Sequence, residues 1–248
     1  MVFFPILRSV LSRKETKIFL IFSLTPLLFL LSTLMHSKLF SFAGPEDMKI
    51  AFFDFYYGQF NLQFNSIIPS IALTFLSISI MRNEIQSKIL FLYKDIDKRI
   101  ILLMKLLSLL AVIGIYSVGY FLISLVVYYT QVAHLSYGSL DFWSKDFNFS
   151  LLSVFLVMLS YVIIAVVTSI SSLYFKNGVT LVLSLMLTVL MSISVFFPTL
   201  QILFPSGYVN VCEQFDLAIG SLVLIGVTSI YCFLSYIFGV YHLRKLEF

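Results

Sequence analysis

Charge is what this sequence has least of. Of its 248 residues only 11% are Asp, Glu, Lys or Arg, against 60% hydrophobic, and the mean hydropathy is +1.03. Soluble globular chains carry about a quarter charged residues, so so much apolar surface excludes a soluble domain and demands lipid. Histidine is nearly as scarce: His36, His134 and His242 are too scattered for a metal site. No H-E-x-x-H, no EExxxR acid–base pair and no G-x-S-x-G elbow occurs, which removes the usual metallopeptidase, intramembrane peptidase and esterase chemistries. Cys212 and Cys232 fall in a loop and inside an apolar run, so a disulfide framework is not expected. None of the ten glycines belongs to a G-x-x-x-x-G-K-[ST] phosphate loop, so ATP hydrolysis by that route is excluded for this chain. Catalysis is not expected of it.

What is present is a series of long uncharged runs. They are apolar on every face, unlike barrel strands, which alternate. They therefore read as helices that satisfy their own backbone hydrogen bonds in lipid. Six spans are expected, at about 18–35, 60–81, 106–130, 150–175, 178–197 and 217–241, each close to the roughly 20 residues that a bilayer core requires. The first run is long enough to span and no A-x-A-like site follows it, so it reads as a span and not as a cleaved signal. None of the six contains Asp, Glu, Lys, Arg or His. Intramembrane ionisable residues are the usual carriers of proton coupling, and that class of function loses its basis here.

Loop charge sets the orientation. Thirteen Lys and Arg residues fall before the first span, between spans two and three, after span four and in the tail, whereas the alternate loops hold only Lys38, Lys49 and Lys145. The positive-inside rule puts both termini in the cytoplasm. That bias also explains the net charge of +4, and no basic stripe interleaved with aromatics suggests nucleic acid. Tyr56, Tyr57, Tyr128, Tyr129, Tyr174 and Tyr241 fall near the expected helix ends, where tyrosines anchor helices at headgroup level.

Three segments are neither span nor simple loop. Residues 1–17 repeat apolar positions at Phe3, Phe4, Leu7, Val10 and Leu11 among basic ones. They form either an amphipathic helix in the inner interface or a frayed basic leader. Pro198 and Pro205 break the chain after span five around a still apolar LQILF, a pattern that suits a segment dipping back into the membrane. Gln59, Asn61, Gln63 and Asn65 alternate at the start of span two. They face a cavity or partner, or else sit above the hydrocarbon with the span starting near Ile67. Pro26 and Pro69 are expected to kink their helices.

The charge missing elsewhere gathers in residues 81–105. Ile85, Ile89 and Leu92 make an apolar ridge at helical spacing beside Glu84 and Lys88, which stand i, i+4. Asp97 is placed to cap a helix entering span three. A hydrated loop would serve topology alone, but such a ridge suits docking to a cytoplasmic partner.

This segment resembles that of the type-2 ABC transporter permeases, with Glu84, Ser87, Ile89, Lys98, Arg99 and Lys105 in matching order. Ser87 and Lys88 stand where that family commonly has Gly-Thr, and no Pro marks the turn near Ile96. The likeness extends along the chain, to a cytoplasmic N-terminal helix, six spans, both ends inside and a broken outer segment before span six. It implies an all-α permease in the bacterial plasma membrane that pairs with a second permease chain, identical or related. Two separate ABC ATPase subunits would bind ATP and Mg. By the resemblance, the helix after span two is a coupling helix seated in the ATPase, with Glu84, Ile85, Lys88, Ile89, Leu92, Lys98 and Arg99 in contact and Lys176 and Asn177 forming a lesser one. A cavity lined by spans two and five, with Asn61, Gln63 and Asn65 as candidates, would carry a hydrophobic or amphipathic cargo such as an antimicrobial peptide or drug. The alternative is a non-transporting receptor or immunity protein that binds a peptide at its outer loops.

Overall fold

The computed structural model describes residues 3–34, 49–86, 97–208 and 217–245. Apart from one isolated parallel bridge, Ile50 to Gly138, regular structure among these residues is helical. In chain order the helices are α1 (Phe3–Ser12), α2 (Lys14–Ile21), α3 (Leu27–Leu34), α4 (Phe52–Asn65), α5 (Ile68–Gln86), α6 (Lys98–Thr130), α7 (Phe147–Tyr174), α8 (Asn177–Ile193), α9 (Pro198–Gln201) and α10 (Leu217–Lys245). Four are long and apolar enough to cross a membrane: α6, α7, α8 with the 3-10 turn that extends it, and α10. A fifth is added if α4 and α5, bent by 63° at their junction, count as one span.

The two remaining expectations differ from what forms. Residues 18–34 are not one helix but α2, a 3-10 turn at Phe22–Leu24, and α3. Pro26 has no N–H to continue the ladder, and the Thr25 hydroxyl takes the Phe22 carbonyl instead. The second run begins already at Phe52, because an aromatic face packs it onto the far half of α6. Phe52 lies 5.6 Å from Tyr128, Tyr56 5.2 Å from Phe121 and Phe60 5.0 Å from Tyr120, between ring centroids.

α7 is the hub of the bundle, packing against α4, α5, α6, α8 and α10. Two-thirds (67%) of its most apolar window is buried, against 28% for α8 and 17% for α10. α8 and α10 therefore present most of their apolar surface outward. The buried side of α8 consists of Thr180, Ser184, Thr188 and Met191. Thr74 of α5 and Thr168 of α7 meet Ser184 at 2.6 and 2.8 Å. In lipid, apolar side chains gain nothing by burial, and small and hydroxyl residues make the helix contacts.

Beyond α8 the chain turns back. Tyr231, midway along α10, donates to the Leu203 carbonyl at 3.1 Å, so the segment broken by Pro198 and Pro205 reaches toward the middle of that helix. Gly207 permits the turn, since a Cβ there would sit 2.3 Å from the Gln201 Cα.

Four cationic side chains tie backbone carbonyls of neighbouring helices at one face. Arg82 donates to the carbonyls of Phe175 and Ser172 at the end of α7. Lys105, 4% exposed, reaches the Ile80 carbonyl at 3.0 Å, and Lys98 the Leu243 carbonyl at 3.4 Å. Arg13 bonds the Ser79 carbonyl at 2.7 Å. Arg82 and Lys98 meet the last carbonyls of α7 and α10, where positive charge is favoured because the backbone dipoles end unpaired. Lys105 and Arg13 instead reach carbonyls within α5. This is the basic end of the bundle. At the far end Tyr56 and Tyr128, expected as interfacial anchors, are instead buried, with Tyr128 donating to the carbonyls of Ile50 and Ser139. Trp143 is exposed there, stacked on Phe53.

Candidate functional site

Two regions hold the residues singled out by sequence. The first is a cavity of about 440 Å³ between α4, α7, α8 and the turn at Pro205–Tyr208, within the size range of small-molecule pockets. α4 contributes Asn61 and Asn65, one turn apart, so that both amides look into it. Asn65 donates to Asn61 at 3.0 Å, leaving part of each amide for another partner. Met191 and Ser192 on α8 and Leu156 and Val157 on α7 form the facing walls. The Ser192 hydroxyl is buried with no partner among the described residues. Ser206 closes one side, held 3.1 Å from Ser194. No charged side chain lines this space. A desolvated ion would find no counter-charge there, so the cavity suits an uncharged, mainly apolar group carrying one or two hydrogen-bonding atoms.

Gln63 does not line this cavity. Its position on α4 turns it into the bundle, where Nε2 donates to the Phe22 carbonyl at 2.5 Å and to the Thr25 hydroxyl. Its Oε1 accepts from Tyr116 at 2.8 Å. Tyr116 lies near the middle of α6, so Gln63 sits level with the middle of that helix. Gln59 is buried beside this cluster, its amide nitrogen unpartnered among the described residues. Tyr116 and Thr25 escaped sequence reasoning because a lone Tyr or Thr in an apolar run carries no local signal. Gln63 was visible, but its direction was not.

The chain matches no known family, curated protein or solved structure. Its chemistry has to be read from its own residues.

The second region is the basic end. Glu84 and Ile85 lie on the last turn of α5, while Lys88, Ile89 and Leu92 lie outside the described residues. Asp97 caps α6, its carboxylate accepting from the Arg99 N–H at 3.0 Å. Lys98 turns to the α10 carboxyl end, as above, and Arg99 and Lys176 are exposed. The expected contact residues therefore divide. Arg99 and Lys176 present charge outward, whereas Lys98 is engaged within the bundle.

Proposed function

We propose that the chain is the membrane subunit of an ABC exporter, forming the translocation path together with a second permease chain and driven by separate ATPase subunits that bind ATP and Mg. The observation that carries this reading is the cavity. Both segments expected to line a cargo path contribute to it, with Asn61 and Asn65 on one wall and Met191 and Ser192 of α8 on another, while α7 and Ser206 complete the enclosure. Its uncharged lining suits a hydrophobic or amphipathic cargo, such as a peptide or drug.

The remaining architecture fits the same reading. Counting the broken 14–34 stretch and the bent α4–α5 pair as spans brings the total to six. The basic end then faces the cytoplasm of a bacterial plasma membrane, with α1 at the inner interface and both termini inside. The end of α5 and the start of α6 both lie at that end. In this reading the charged stretch of sequence that links them, with Ile85, Ile89 and Leu92 at helical spacing, is what an ATPase cleft receives. Arg99 and Lys176 flank it as charged rim contacts.

Glu84 separates this reading from a purely topological one. Glu84→Arg reverses a charge at the docking site without touching an apolar span. It is expected to lower stimulation of the partner ATPase about tenfold or more, since like charge placed against a docking partner costs several kcal/mol. Membrane insertion, followed by protease protection, is expected to be unchanged. Full coupling in this variant excludes the segment as the point of drive.

A further inference from the structure

The junction of α4 and α5, Asn65-Ser66-Ile67-Ile68-Pro69, carries a conformation that isoleucine rarely adopts. Ile67 has φ of 64° and is the only non-glycine residue with positive φ among the described residues. For a β-branched side chain this is a strained, left-handed backbone. The bend it makes is otherwise well finished. Ser66 N–H reaches the Leu62 carbonyl at 3.0 Å, Ile67 N–H the Phe64 carbonyl at 3.1 Å, and the Ser66 hydroxyl the Gln63 carbonyl at 2.6 Å. Pro69 falls in the first turn of α5, where a missing N–H loses no bond.

The alternative is equally definite. If Ile67 returned to the right-handed region, α4 and α5 would join into one helix and the strain at Ile67 would vanish. Pro69 would then stand in a helix interior, with no N–H for the Asn65 carbonyl and its ring against that oxygen. Each arrangement thus bears one local backbone penalty, strain at Ile67 in the bent form and a broken ladder at Pro69 in the straight one, and neither is free. One turn before the junction, Gln63 ties α4 to the break at Phe22–Pro26 through the Phe22 carbonyl and Thr25 hydroxyl. Beyond the junction, α5 is held to α8 through Thr74 and Ser184.

We propose that Ser66–Ile67 is a two-state hinge, bent when Ile67 is left-handed and straightened when it is helical, and that switching swings Asn61 and Asn65 relative to α8 and so opens or closes the cavity. The hinge rests on backbone geometry alone. Its use as a gate rests on the transporter reading.

The test uses the full chain in lipid vesicles, with Cys212→Ser and Cys232→Ser. Spin labels are placed at two exposed positions, Leu62→Cys on α4 and Val182→Cys on α8, and the distance distribution is measured. Ile67→Gly relieves the left-handed strain and weakens the continuous helix, so it is expected to shift the ratio about tenfold toward the bent distance. Pro69→Ala removes the penalty on the continuous helix and is expected to shift it about tenfold the other way. Ile67→Asn, which also tolerates positive φ, is expected to follow Ile67→Gly and guards against a misfolded glycine variant. A distance unmoved by all three variants, or moved by Gly and Ala in the same direction, overturns the hinge. No ATP enters the measurement, so its failure leaves the transporter reading intact, and the absence of an ATPase leaves the hinge intact.

Discussion

Gln63→Leu is expected to destabilise the folded bundle by about 2–3 kcal/mol. The substitution keeps the size of the side chain roughly constant and removes three hydrogen bonds at once, to the Phe22 carbonyl, the Thr25 hydroxyl and the Tyr116 hydroxyl. Interhelical bonds in membranes average about 0.6 kcal/mol and reach about 1.7, so a trio of them gives about 2, and the buried Tyr116 hydroxyl left without Gln63 adds to it. Gln63 and Tyr116 are 5% and 0% exposed, and no water is at hand to replace the lost partner. Tyr116→Phe removes one bond of the three and is expected to cost about 1 kcal/mol or less. Because the two side chains share a bond, the double variant should lose less than the sum of the singles. Unfolding in mixed micelles measures all three. A loss under about 0.5 kcal/mol for Gln63→Leu would mean that the clamp contributes nothing beyond packing.

The second large effect is expected on transport and not on stability. Replacing Asn61 and Asn65 together by Leu removes the cavity's paired amides and keeps its uncharged lining. Apolar side chains are well tolerated at this depth, so insertion and unfolding should stay near those of the parent chain. If the amides hold the polar atoms of a cargo, their loss is expected to lower ATP-driven uptake into inside-out vesicles about tenfold or more, since one hydrogen bond in a desolvated site is worth about 1.4 kcal/mol. Unchanged uptake would remove Asn61 and Asn65 from the path.

How far the chain was legible depended on the range of the forces at each position. α6, α7 and α10 follow from hydropathy, because a long uncharged run has no alternative to a helix in lipid. The ends of α4 do not follow from it. Averaged hydropathy counts Gln59, Asn61, Gln63 and Asn65 as polar and moves the span inward, whereas the helix is set by Phe52, Tyr56 and Phe60 meeting rings on α6, more than fifty residues away in sequence. At Pro26 a kink was legible. The full break was not, because it depends on Gln63 taking up the freed Phe22 carbonyl from another helix. The basic residues show the same limit. Arg82, Lys98 and Lys105 collect at one end of the bundle as a group, but which backbone carbonyl each one reaches is a matter of packing. Of the cavity, Asn61 and Asn65 were legible, and the wall on α8 carried no signal beyond its hydroxyl residues.

The most direct measurement is affinity purification of the full chain from its own membranes in mild detergent, followed by an assay for ATP hydrolysis in the eluate. Co-elution of a soluble ATPase bearing a phosphate loop, in about equal amount to the chain and with hydrolysis that falls when Glu84→Arg replaces the parent, is the expected result. A chain that elutes alone, with no ATPase at any detergent concentration that preserves its fold, would contradict the proposal that it is the membrane half of an ATP-driven exporter.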